Sequence, residues 1–71
     1  MTTYFSTTTY SQLLVEFQPK VIVTEEEYDR TLEAIEKLMA YKYRTPEQTA
    51  ILQLLVTLVE EFENKHLLLQ F

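Results

Sequence analysis

An all-α fold is predicted for this 71-residue chain by three observations. Glycine and cysteine are absent and proline occurs twice, so Asn-Gly or Asp-Gly hairpin turns and disulfides are excluded. Apolar residues recur at steps of three and four in the two longest segments, the period of a helix with one buried face. Threonines followed three residues later by Gln or Glu mark helix starts. The length suits one helical domain, expected over residues 9–71 behind a flexible lead-in at 1–8. A domain of this size buries only roughly 60% of its unfolded surface. Its core supplies about 3–5 kcal/mol without a staple, and oligomerisation is the staple left open by the composition.

The first helix is expected over about residues 10–17. Thr9 and Gln12 form a weak capping box, Leu13, Leu14 and Phe17 share a face, and Pro19 stops the helix by pushing Gln18 out of the right-handed helical region. Lys20 to Val23 then reads as an extended connector whose Ile22 plugs into the core. The second helix is expected over 25–41. Thr24 and Glu27 make its capping box, and Glu25, Glu26 and Glu27 lie where the helix dipole favours negative charge. Its narrow apolar stripe is Tyr28, Leu32, Ile35 and Met39, with Leu38 on the flank. Lys42 and Arg44 suit the negative end of the dipole, with the turn at Tyr41 to Arg44.

Thr45-Pro46-Glu47-Gln48 is the clearest start signal: a cap, a proline at the first helical position, and a glutamine to close the box. The third helix is expected over 46–66. Its apolar set, Ile51, Leu52, Leu54, Leu55, Val56, Leu58, Val59 and Phe62, covers an arc of roughly 200°, twice the usual core-facing stripe. One neighbour with a narrow stripe cannot cover it, and monomers rarely leave such patches exposed. A homodimer is therefore expected, with Ile51, Leu52, Leu55, Val56, Leu58, Val59 and Phe62 at the dimer or partner interface. The alternative is a compact three-helix monomer in which the short first helix does the covering. The last stretch, His66 to Phe71, is expected to continue the helix or pack on a partner.

Eleven acids against six bases give a net charge of -5. Only Lys42 and Arg44 sit close together among the bases, too few to track a duplex, so direct nucleic-acid binding by this chain alone is not expected. No apolar run reaches the roughly 18–20 residues that span a bilayer. Residues 1–12 lack the charged and apolar regions of a signal peptide, so the expectation is a cytoplasmic protein without membrane association. Glu63 and His66 have the Glu-x-x-His spacing of di-metal bundles, but solvated helix-end residues explain them better. Five tyrosines and four phenylalanines raise a stacking surface for single strands, which core packing explains better without interleaved arginines. No nucleophile lies beside a base, so no catalytic residue, metal, cofactor or small-molecule substrate is expected, and the chain does not read as an enzyme.

The chain resembles the N-terminal helical region of HigA-type antitoxins, bacterial regulators of the helix-turn-helix class. The matching residues are Pro19-Lys20-x-Ile22-x-Thr24-Glu25-x-Glu27-Tyr28, Ile35-Glu36-x-Leu38-Met39 and Thr45-Pro46-Glu47. The run continues with Leu54-Leu55-x-x-Leu58-Val59-Glu60-x-Phe62-Glu63-x-x-His66, and Tyr10, Leu13-Leu14 and Phe17 resemble the segment before it. Family members usually continue past the histidine into a DNA-binding domain, whereas Leu67 to Phe71 stand here in place of that exit. The resemblance therefore carries over no DNA-reading residue and implies dimerisation or contact with a toxin or a full-length regulator. The family's toxins are typically basic ribonucleases, which an acidic helical partner suits electrostatically. The function expected is a small antitoxin-like or regulator-associated protein acting by protein–protein contact; the alternative is a structural helical module with no toxin–antitoxin role.

Overall fold

Three helices, α1 (Thr7–Phe17), α2 (Glu25–Met39) and α3 (Pro46–Leu69), make up all regular structure among residues 5–69, which the computed structural model describes. Side-chain surroundings are described for residues 5–65. Both α1 and α2 pack on α3, and they touch each other far less. Residues 1–4 of the expected lead-in at 1–8 and the terminal Gln70 and Phe71 lie outside the described residues.

The start of α3 follows from local chemistry alone. The Gln48 N–H donates to the Thr45 hydroxyl at 3.1 Å, and the Thr45 N–H donates back to Gln48 Oε1 at 3.0 Å. Each bond satisfies a donor that the first helical turn leaves unpaired. Past Pro46 no glycine or proline interrupts the segment, and α3 runs three residues beyond the expected end at 66.

At the start of α2 the Glu27 N–H donates to Thr24 Oγ1 at 3.1 Å. The return arm differs from the usual box: the Glu27 carboxylate accepts from the Val23 N–H at 3.0 Å, one residue before the cap. The helix ends at Met39, two residues before the expected 41. The Leu38 carbonyl accepts from the Tyr41 N–H at 3.4 Å and from the Arg44 guanidinium at 3.3 Å, which closes the chain back on itself. Arg44 thus acts at the negative end of the helix, as its position predicts.

Helix α1 starts at Thr7 rather than near 10. Ser6 is its cap, its hydroxyl accepting from the Thr9 N–H at 3.2 Å, so residues 7 and 8 of the expected lead-in are helical. The helix ends at Gln18, whose φ of 46° and ψ of 57° are left-handed. Pro19 bars the right-handed region as expected, and the Gln18 N–H closes on the Leu14 carbonyl at 2.7 Å. Glycine usually fills such a position, because a side chain there costs roughly 1–2 kcal/mol.

The core is Ile22, Ile35, Leu38, Ile51, Leu55 and Val59. Ile22 is buried from the connector while Val21 and Val23 on either side are exposed, the plug that alternation in an extended segment predicts. On α2 the buried positions are Ile35 and Leu38, with Tyr28 and Leu32 half-buried, whereas Met39 is 62% exposed. The stripe therefore turns toward Leu38 instead of ending on Met39. The cause is α1, which lies on that flank: Lys37 Nζ is 3.5 Å from Glu16 Oε2 and 5.8 Å from the centre of the Phe17 ring. Leu38 belongs to the buried core, and Met39 lies outside it.

Two substitutions separate this packing from the stripe expected on α2. Leu38→Ala should cost about 2–5 kcal/mol, comparable with the whole stability of a domain this small. Met39→Ala should stay within about 0.5 kcal/mol, with urea titration followed by circular dichroism as the measurement. Gln18→Gly should stabilise the fold by about 0.5–1 kcal/mol by relieving the left-handed conformation; an unchanged or lower urea midpoint would show that Gln18 carries no such cost.

Candidate functional site

Two carboxylates place the neighbours of α3. Glu47, in its first turn, accepts the Ser6 N–H at the start of α1. Glu63, four turns later, accepts the Tyr28 hydroxyl at the start of α2, where the Tyr28 and Phe62 rings lie 5.1 Å apart. At about 100° per residue, Glu47 and Glu63 stand about 160° apart around the helix. Leu54 and Leu58 fall within about 20° of Glu47, and Leu52 and Val56 within about 20° of Glu63. Ile51, Leu55 and Val59 lie between the two flanks.

This arrangement shows where each expected interface residue sits. Ile51, Leu55 and Val59 are 0%, 2% and 7% exposed, inside the core of the single chain. Leu52, Val56, Leu58 and Phe62 are half-buried and pack against that core. Leu54 is half-buried as well. The wide arc is covered from two sides within one chain, by α1 and by α2, and no residue of the apolar set is fully exposed. What remains for a second chain is the partial exposure along the flanks.

Glu47 is the one buried charged residue among those described. The Ser6 N–H, its own backbone N–H and the Thr45 side chain hold its carboxyl below the usual range, in that order, against the opposing effect of burial. It stands where the positive ends of α1 and α3 meet, so the fields of two helix dipoles favour its ionised form. The sequence marks Glu47 only as a first-turn acid. Its role depends on a partner 41 residues away in the chain.

Glu27 has a comparable task at the other end of the connector. Lys20 Nζ lies 2.7 Å from its carboxylate. That contact, followed by the Val23 N–H, lowers its pKa to about 2 from the ordinary 4.5. Glu27 also borders a cleft of about 220 Å³ between the end of α1, the connector and α2, whose lining includes Phe17, Lys20, Ile22, Arg30 and Leu55. The three consecutive glutamates thus divide: Glu27 binds the connector, and Glu26 faces Arg30 at 3.8 Å. Among the described residues no group of three or more His, Asp or Glu side chains is placed to hold a metal ion. Glu63, half of the Glu-x-x-His pair, receives the Tyr28 hydroxyl. This bond is the chief cause of the raised Tyr28 pKa. No helix among the described residues is long and apolar enough to cross a membrane.

Four of the seven exposed large apolar side chains among the described residues belong to one end of the molecule, while Val15, Val21 and Val23 lie on α1 and the connector. The Ser6–Glu47 bond and the Arg44–Leu38 bond bring together the start of α1, the end of α2 and the start of α3. Phe5, Met39, Tyr41 and Tyr43 all belong to this end, and all four are exposed, Tyr43 by 83%. Lys42 Nζ lies 5.6 Å from the centre of the Tyr43 ring. Sequence reading located these aromatic residues at a turn or in the lead-in but did not group them, because the grouping comes from tertiary contacts.

A carboxyl whose folded pKa lies below its unfolded value stabilises the fold above the unfolded value and loses that contribution as pH falls through the folded one. For Glu27 the window runs from about 4.5 down to about 2, and Glu47 acts in the same direction. The urea midpoint should therefore fall with acidification across this window. Glu27→Gln and Glu47→Gln should each flatten that dependence, and parallel curves for the wild type and both variants would exclude the assignment. Comparison with protein families, with curated proteins and with solved structures finds no match for this chain.

Proposed function

We propose that this chain is a small antitoxin-like or regulator-associated protein that acts by protein–protein contact and self-association along α3. The observation that carries this reading is the apolar surface left along the α3 flanks, at Leu52, Leu54, Val56 and Leu58. Helices α2 and α3 are read as an antiparallel hairpin, supported by Tyr28 lying beside Phe62 and by Arg44 closing on Leu38. The start of α2 stands level with Phe62 and Glu63, while the α3 backbone continues to Leu69. The proposed homodimer joins two hairpins along this helix, with the half-buried flank residues as its contacts. Its acidic surface, at net charge -5, suits a basic partner such as a small ribonuclease toxin. A full-length regulator is the other partner class, and a cytoplasmic setting goes with both.

One observation favours a second reading. Because α1 and α2 together cover the arc of α3, the chain is also consistent with a self-contained structural helical module that needs no toxin. Mass measurement separates the two. Sedimentation of the intact protein should give twice the 8.5 kDa chain mass. Leu54→Asp should shift it to the single-chain mass with helical circular dichroism retained. A wild-type protein that sediments as one chain would overturn self-association. Failure of a small basic ribonuclease to co-purify from the native cell would remove the toxin partner.

A further inference from the structure

The end of the molecule where α1 starts, α2 stops and α3 starts is built mostly from segments without acids. Residues 5–15 carry no charged side chain, and between Lys37 and Glu47 the chain has Lys42 and Arg44 and no acid. All eleven acids belong to the remaining segments; of the two that border this end, Glu47 is buried against the Ser6 N–H and Glu36 is exposed one turn before Met39 on α2. Phe5, Met39, Tyr41 and Tyr43 share the same end, each between 43% and 83% exposed. The chain thus presents an apolar, cationic patch on an otherwise acidic molecule. Tyrosine and methionine with a basic neighbour are residue types enriched where proteins meet, aromatic bodies providing contact area at low entropy cost.

We infer that the Tyr41-Lys42-Tyr43 connection, with Met39 and Phe5 beside it, is a docking surface for an acidic segment of another protein, one apolar anchor flanked by carboxylates. Charge complementarity selects this occupant. The anchor lies against Met39 and the tyrosine rings, and its flanking carboxylates meet Lys42 and the outer face of Arg44. A nucleic-acid strand fits less well. Two bases neutralise too few phosphates to offset repulsion from the acidic remainder, and the side chain of Met39 is not a stacking platform. The inference rests on the reading of the chain as a protein-contact module, and it adds a second surface, apart from the α3 flanks, with the opposite charge preference.

The test titrates the full chain with a synthetic peptide in which one tryptophan is flanked on both sides by glutamates. Amide shifts are followed by NMR. Shifts should concentrate at Phe5 and at Met39 to Arg44, and weaken as salt is raised. The same peptide with lysines for glutamates should leave these amides unmoved. Lys42→Glu and Tyr43→Ala alter exposed side chains that the core does not use, and each should weaken binding about fivefold or more. Equal response to the lysine peptide, shifts elsewhere, or unchanged affinity in both variants would overturn the proposal. So would tighter binding of an oligothymidylate, which would assign the patch to single strands. Shifts at this end on concentrating the chain alone would assign it to a second copy. Sedimentation of the same samples reports on association along α3 separately. A single-chain mass with peptide bound at this end removes the dimer and leaves the docking surface, and a dimer that ignores the peptide does the reverse.

Discussion

The architecture turns on how a helix with an apolar arc of roughly 200° is covered by a chain of only 71 residues. A single neighbouring helix shields about half of such an arc. The chain meets the remainder by placing α1 on the flank that holds Leu54 and Leu58, and α2 on the flank that holds Leu52 and Val56. Ile51, Leu55 and Val59 are then enclosed from both sides, and each fully buried aliphatic side chain contributes about 1.5–3 kcal/mol. Ile22 and Leu38 fill the places where the connector and α1 close over α2. Remove either cover and half of the α3 surface returns to water. The short α1, with no fully buried residue of its own, matters through what it shields.

Both covers are tied to α3 near their starts by carboxylates. Glu47 accepts the Ser6 N–H, and Glu63 accepts the Tyr28 hydroxyl. An apolar contact has no direction and leaves a helix free to slide by a turn. A hydrogen bond to one named donor does not. Glu47 therefore sets the register of α1 against α3, and Glu63 that of α2. The two bonds differ in setting. Glu47 is buried and held by two backbone N–H groups and the Thr45 side chain, which favour its ionised form, whereas the Glu63 contact is exposed and is supported by the Tyr28–Phe62 ring pair. The register of α1 accordingly depends on ionisation of a single acid.

What was legible in the sequence was chemistry between near neighbours. The Thr45–Gln48 box formed with both arms, Arg44 reached the end of α2, and Ile22 entered the core from an extended connector. Each involves residues within a few positions, or a simple alternation, so local rules suffice. Where the reading and the structure part, a distant partner is responsible. The weak Thr9–Gln12 box lost to Ser6, because Glu47 holds the Ser6 backbone and draws the start of α1 back to Thr7. Met39 lost its place on the α2 stripe to Leu38, because α1 covers the Leu38 flank. Ile51, Leu55 and Val59, expected at an interface between chains, are buried within the single chain. Periodicity reports that a position is buried but not whether its cover comes from the same chain or another.

The same limit bears on function. Apolar periodicity drew attention to α3, where burial within the chain now accounts for the most enclosed residues; it set Met39 on the α2 stripe and passed over Tyr41 and Tyr43, which no helical period connects to it. Those residues come together because three helix ends meet at Ser6, Leu38 and Glu47. A core that supplies only about 3–5 kcal/mol gains from any partner that binds the folded chain alone, by an amount set by partner concentration and affinity. Contacts along the α3 flanks and at the aromatic end would both act in this way. Association along the side would bury what α1 and α2 leave half-covered, and a partner at the tip would cover Met39, Tyr41 and Tyr43, which the chain leaves exposed.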